Sequence, residues 1–314
     1  FIFLNMIMYV MNYKKDLNVF EKIDILFGKF SKIINFILFS LVTLYFMFSL
    51  WNLSIYIQNK FLDQTPKFLI MFLFLIPVIY IVNKDVKTIS KVSLICFILS
   101  IVEFLASVFG LINYIDFNNF KPLFTNSFNE IISSSFIIIA YFITPFSLIL
   151  IVPKNTIDEP KKLNKSFIYF YIIGFLELLL ITSFIISIFG IDYAKLFYYP
   201  EFSLLKKISY FDFIEHVENL LSSQWLFSLY IGSVINLYFI KNYLKYLNIK
   251  KLKTKKIIYY IIIFVSLFIS PRLFMNTTIE YNVVKEYFIY LYSIPIFVLL
   301  IIAIILIRKE KRAN

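Results

Sequence analysis

The chain has 314 residues, 61% of them hydrophobic and 20% aromatic, and its mean hydropathy is +0.83. Soluble domains sit near roughly 45–50% apolar, and surface-to-volume scaling leaves a soluble fold of this length too little interior for the excess. The formal net charge is +12; because the basic residues lie between hydrophobic stretches, they argue for membrane topology and for contact with anionic lipid headgroups at the cytoplasmic lysines, not for nucleic acid.

A spanning helix needs about 20 apolar residues. The chain opens at Phe1 inside an apolar run with no basic leader and no small-residue cleavage site, so a signal peptide is not expected and an N-terminal segment is expected to be missing. After this stub, Phe1–Tyr13, come Ile33–Ile57, Phe68–Val82, Val92–Tyr114, Ile131–Pro153, Ser166–Ile191, Leu220–Ile240, Ile257–Met275 and Tyr287–Ile307. The short Phe68–Val82 run borrows flanking residues such as Asn83 or thins the bilayer. The runs are continuous and lack period-two alternation, which excludes a membrane barrel. The reading is one integral membrane domain over 1–314, all-α, a polytopic transmembrane helical bundle with about nine segments, the first partial.

Lysine and arginine fix the sidedness. Segments Lys14–Lys32, Lys84–Lys91, Lys154–Lys165, Lys241–Lys256 and the tail from Arg308 hold 23 of the 31 basic residues; the alternate loops hold 8. That alternation supports the segment count and a cytoplasmic C-terminus. The outer stretch Glu201–Asn219 has Phe202, Leu205, Ile208, Phe211, Ile214 and Val217 at helical spacing, with Ser209 and Asp212 fitting a capping-box start; it reads as a short helix in the outer interface.

Two carboxylates fall within spans, Glu103 and Glu177. A charge at bilayer centre costs roughly 2.5–3.5 kcal/mol on insertion scales. Each is therefore a proton- or cation-coupling group, or a neutral carboxylic acid hydrogen-bonded to a neighbouring helix. Pro77, Pro145 and Pro295 interrupt spans, and each deprives the carbonyl four residues earlier of its partner. At Pro145 that carbonyl belongs to Tyr141, with Phe142 and Thr144 alongside; such breaks are either simple bends or the unwound backbone with which transporters hold substrates. Tyr45 with Thr43, the run Ser133 to Ser135, and Ser222, Ser223 and Gln224 with Trp225 are polar groups that complete a pocket or act as helix–helix glue. The sole cysteine, Cys96, and the sole histidine, His216, cannot form a disulfide or a zinc cluster. No hydrolase, P-loop or metalloprotease motif occurs, so no enzyme activity, metal or cofactor is expected.

Several short runs carry a family resemblance. Leu26-Phe27-Gly28-Lys29, Thr65-Pro66 and Lys121-Pro122-Leu123-Phe124 occur in order, followed by Tyr199-Pro200-Glu201-Phe202-Ser203-Leu204-Leu205-Lys206-Lys207-Ile208-Ser209, Asp212-Phe213-Ile214-Glu215-His216-Val217-Glu218 and Trp225. Together they resemble the endospore germination permease family, the B subunit of spore nutrient germinant receptors, which is similar to the amino acid–polyamine–organocation transporters. The resemblance implies an amino-acid-transporter-like inverted-repeat fold with broken helices and ten spans, of which the stub is the second and Ile131–Pro153 the sixth. It places Pro145 where that fold unwinds. The chain departs from the pattern at Ile143-Thr144, where Gly-Glu is frequent, and at His216, where Arg is usual.

The resemblance also implies a nutrient-sensing subunit in the spore inner membrane that binds a small germinant, an amino acid, and works with A-like and C-like receptor subunits. The ligand-binding residues are then Tyr45, Tyr141, Phe142, Thr144, Pro145 and Trp225. The alternatives are a proton- or cation-coupled secondary amino acid transporter, with Glu177 as coupling group, and a structural subunit that binds nothing small.

Overall fold

The computed structural model describes residues 1–121, 127–139, 144–208, 218–248, 251–274 and 289–313. Among these the protein is helical with no strand, and every apolar stretch named above contains helix. Five helical segments are long and apolar enough to cross a membrane, and Ile2–Asn12 and Lys67–Val82 are shorter apolar helices. The fold is an all-α polytopic bundle. The chain divides into two compact units, each assembled from separate segments: one from Phe1–Asp85, Phe128–Lys161 and Gly232–Asn314, the other from Val86–Ser127 and Lys162–Ile231.

The first unit begins with α1 (Ile2–Asn12) and α2 (Val19–Phe27). Helix α2 was not expected, since Lys14–Lys32 reads from its charges as a loop. Asn18 starts it: its side-chain oxygen accepts from the amides of Phe20 and Glu21, at 2.9 and 3.2 Å, while Glu21 accepts from the Asn18 amide at 2.8 Å. This reciprocal capping satisfies amides that have no partner within the helix. Gly28 ends α2 at φ +51°, a conformation that a side chain disfavours. A single 3-10 turn, Gly28–Phe30, then leads into α3 (Ser31–Lys60).

Helix α3 is about 45 Å long at 1.5 Å per residue. Its second half carries the unit's core, with Phe46, Leu50, Trp51, Leu53 and Tyr56 essentially inaccessible. Around it pack α2, α4 (Lys67–Val82) and α12 (Leu252–Phe274). Ser270 on α12 donates to the Met47 carbonyl at 2.7 Å, and Phe274 lies against the Trp51 ring at 6.3 Å. The lower part of α11 (Ser223–Tyr246) closes the other side. Phe20 of α2 packs against Phe239, Tyr243 and Tyr246, at 5.0, 5.4 and 5.3 Å, and Phe39 stacks on Tyr243 at 4.4 Å. The last helix, α13 (Ile289–Ala313), runs along α1.

Lysines close the ends of two of these helices. Lys22, only 2% exposed, donates to the carbonyls of Val10 and Met11 at 3.1 and 3.2 Å, at the C-terminus of α1. Lys154, also buried, donates to Asn12 next to it. Lys241 donates to the Val82 carbonyl and to Asn83 at 2.8 and 3.0 Å, at the C-terminus of α4. The last carbonyls of a helix lack backbone partners and carry the negative end of its dipole, so a cation there meets both needs. These lysines are therefore spent on the fold.

The second unit contains α5 (Val86–Leu111), α7 (Leu163–Phe189), the short helices α8 (Ile191–Ala194), α9 (Pro200–Leu205) and α10 (Glu218–Leu221), and the start of α11. Leu111, Phe184, Leu204, Leu205, Ile208 and Leu221 form its core, and Phe97 packs edge-on against Phe170 at 5.2 Å. The amide of Asp116 and the side-chain amide of Asn119 both donate to the Ser187 carbonyl, at 3.2 and 2.7 Å, so the loop after α5 closes the end of α7. The expected interfacial helix begins as α9, but Phe202, Leu204, Leu205 and Ile208 are buried in protein, not laid on lipid. Apolar side chains at that spacing fit a protein partner as well as a bilayer. Ser209, Asp212 and His216 lie outside the described residues.

Helix α6 (Phe128–Ile138) and a 3-10 helix, Thr144–Ile151, represent the expected sixth span. Pro145 lies in the first turn of the 3-10 segment, where it supplies no amide for α-helical bonding.

Two predictions concern these contacts. Phe20→Ala leaves a cavity among three aromatic rings and lowers stability by about 3–5 kcal/mol, measured by denaturation in detergent. At the chain's other end, Tyr13 donates to Glu310 and Lys14 pairs with Glu310 at 3.4 Å. The Tyr13 hydrogen bond, then Lys14, holds the Glu310 carboxyl below its ordinary 4.5; the hydrogen bond to Tyr13 raises Lys14 above its ordinary 10.5. The depressed acid contributes above the ordinary carboxylate value and loses its contribution as pH falls through the depressed one. The raised lysine contributes below its ordinary value and loses its contribution above it. The last turn of α13 therefore stays attached across the neutral range and frays below pH 4.5; Glu310→Gln removes that acid transition, read by hydrogen exchange corrected for intrinsic rates.

Candidate functional site: polar groups buried in apolar helices

Most hydroxyls on the long helices satisfy themselves locally. Ser40, Thr43, Ser49, Ser93, Thr182, Ser183 and Ser266 each donate to the carbonyl four residues earlier. Such bonds neutralise a polar group in an apolar helix without involving another element. The informative side chains are those that depart from this habit.

In the second unit the departure centres on Glu103. Ser223, the first residue of α11, donates its hydroxyl to Glu103 Oε1 at 2.6 Å. The carboxyl thus meets the N-terminal turn of α11. Glu103 Oε2 and Gln224 Oε1 are buried without a hydrogen-bond partner among the described residues. Trp225 follows immediately, half-buried, its ring 6.3 Å from that of the buried Tyr199. Glu103, Ser223, Gln224 and Trp225 thus form one neighbourhood. Glu177 is half-buried on α7, seven residues from Phe170 and seven from Phe184, and so shares the face these two rings define.

In the first unit Tyr45 lies half-buried on α3, its ring 6.4 Å from Phe48, and its carbonyl accepts from Ser49 at 2.9 Å. Pro145 is half-buried at the start of the 3-10 helix, and Ser147, Leu148, Leu150 and Ile151 after it are buried. Thr144 opens that helix. Tyr141 and Phe142 lie outside the described residues. Tyr45 and Pro145 thus belong to one unit, and Trp225, Glu103 and Glu177 to the other.

Sequence reasoning passed over Ser233 and Asn236 on α11. Both are completely inaccessible, and Ser233 Oγ, Asn236 Oδ1 and Asn236 Nδ2 have no hydrogen-bond partner among the described residues. An unsatisfied buried polar group costs about 1–3 kcal/mol. The signal in the sequence was a Ser and an Asn three apart inside an apolar run, 231–240, which places both on one helical face.

Helix α11 is antiparallel to α3 here. Phe20 receives Asn35 of α3 through its carbonyl and Tyr246 of α11 against its ring, while Phe39 of α3 stacks on Tyr243 of α11.

Among the described residues no group of His, Cys, Asp and Glu is arranged to hold a metal. No curated protein and no solved structure matches the chain. A family model does: the one described as spore germination protein, the spore permease family, matches residues 1–279 of the 314. With its apolar membrane-length helices and this match over most of its length, the chain is an integral membrane protein of the spore germination protein family.

Proposed function

We propose that the protein is a transporter-like nutrient-sensing subunit of a spore germinant receptor, a single integral membrane domain that binds an amino acid and triggers germination with A-like and C-like partner subunits. The observation that carries this reading is the backbone at Thr144–Ile151, which is 3-10 and not α-helical within an apolar segment, in a chain of the spore germination family. Such backbone is tolerated at membrane depth where it is enclosed by protein or lines a cavity. The ligand contacts we assign are Tyr45, Tyr141, Phe142, Thr144 and Pro145. A ligand shifts the conformational equilibrium only by its difference in affinity for the two states, so sensing requires binding but no net transport. The setting is the spore inner membrane with the C-terminus cytoplasmic, and the surface lysines not used as helix caps meet anionic headgroups.

The contact between Glu103 and Ser223 favours a second reading, proton- or cation-coupled amino acid transport, because it sets a carboxyl with one unbonded oxygen inside the apolar region. Reconstituted vesicles separate the two. A sensor binds amino acid without flux, and spores lacking the gene fail to respond to one class of nutrient yet still respond to a non-nutrient trigger. A coupled transporter accumulates substrate under a pH or cation gradient, and Glu103→Gln abolishes the accumulation while leaving equilibrium exchange. Flux by the chain alone, with normal germination of the deletion strain, would overturn the sensor.

A further inference from the structure

We infer that Ser233 and Asn236 form a polar recognition site for the charged end of a small zwitterion, an inference that rests on the ligand-sensing reading and adds the residues and chemistry of recognition. Both side chains are fully buried and unsatisfied although a local remedy exists. On the same helix Asn242 donates to the Tyr238 carbonyl four residues earlier at 2.8 Å, as the hydroxyls on other helices do. Ser233 and Asn236 forgo the equivalent bonds. They sit among Val234, Leu237 and Ile240, none of which is accessible, where an apolar side chain is the more stable choice. Gly232, four residues before Asn236 and so near it on the helix surface, faces open space: a side chain there would meet nothing within 4 Å. Close packing therefore does not require this glycine.

The groups available define the occupant. Asn236 offers an acceptor and two donor hydrogens, and Ser233 offers one of each. Neither brings charge. A metal cation needs more oxygen ligands than these two supply and normally a carboxylate. A lone anion or ammonium would lack a countercharge. An α-amino acid carries its own countercharge, and its ammonium and carboxylate require just such adjacent acceptors and donors.

The test is thermal unfolding of the purified full chain in lipid nanodiscs, with each of the twenty amino acids, and with the amine and methyl ester derived from whichever stabilises. The wild type should be stabilised by an amino acid in proportion to its concentration, and not by the amine or the ester. Asn236→Leu should raise the unliganded Tm by about 2 °C or more and weaken the ligand at least about tenfold; Ser233→Ala should act in the same directions, more weakly. A ligand shift that survives Asn236→Leu unchanged would overturn the site and leave the sensing reading standing. A lowered Tm for the unliganded variant would show that a protein group pairs with the amide and overturn the site too. No stabilisation of the wild type by any amino acid would remove the sensing reading itself, and with it this occupant.

Discussion

Helix ends are the constraint on which the first unit depends. An α-helix that stops inside a bundle leaves carbonyls with no backbone partner, and an apolar environment offers no water to take them. Lys22 and Lys241 supply the missing donors for α1 and α4, each from another helix. Because each lysine is carried by a different element, closing one end also fixes the position of the other. Lys22 binds α2 beneath α1, which brings Phe20 against the aromatic rings of α11. The buried amine of Lys22 is tolerable because it meets the negative end of a helix dipole.

The same rule explains what the long helices do with their polar residues. A hydroxyl that bonds to its own helix is silent, and most do so. Where the bond leaves the helix, it joins elements: Ser270 to Met47, Ser223 to Glu103, Tyr246 to Asp24. Where no bond is made among the described residues, as at Ser233 and Asn236, the cost of burying an unsatisfied polar group remains. These three classes separate residues that hold the fold from residues available to something outside it.

Much of this was legible in the sequence, for physical reasons that differ by element. The five membrane-length helices were readable because a run of about 20 apolar residues has few other homes. The break near Pro145 was readable because a missing amide acts locally. Helix α2 was missed because its lysines were counted as topology signals, although Asn18 and Glu21 at a spacing of three are a capping signature. The Glu201–Asn219 stretch was assigned to the interface because periodicity shows that an apolar face exists without showing what covers it. Glu103 was picked out by its charge, but Ser223 as its partner lies 120 residues away and no local pattern encodes the pairing. Asn236 was overlooked because a neutral amide raises no alarm in composition, and only its burial without a partner marks it.

Helix α11 gathers the consequences. Its part in the first unit carries the side-chain amide of Asn236, unsatisfied among the described residues, and its last turns carry the rings that clasp Phe20 and the phenol that donates to Asp24 at 2.6 Å. An unbroken helix resists bending and transmits displacement along its length. Within the first unit, a ligand at the proposed Asn236 site would act through the same helix on the rings that clasp Phe20. A ligand held there would favour one of two arrangements of this unit only by its difference in affinity for them.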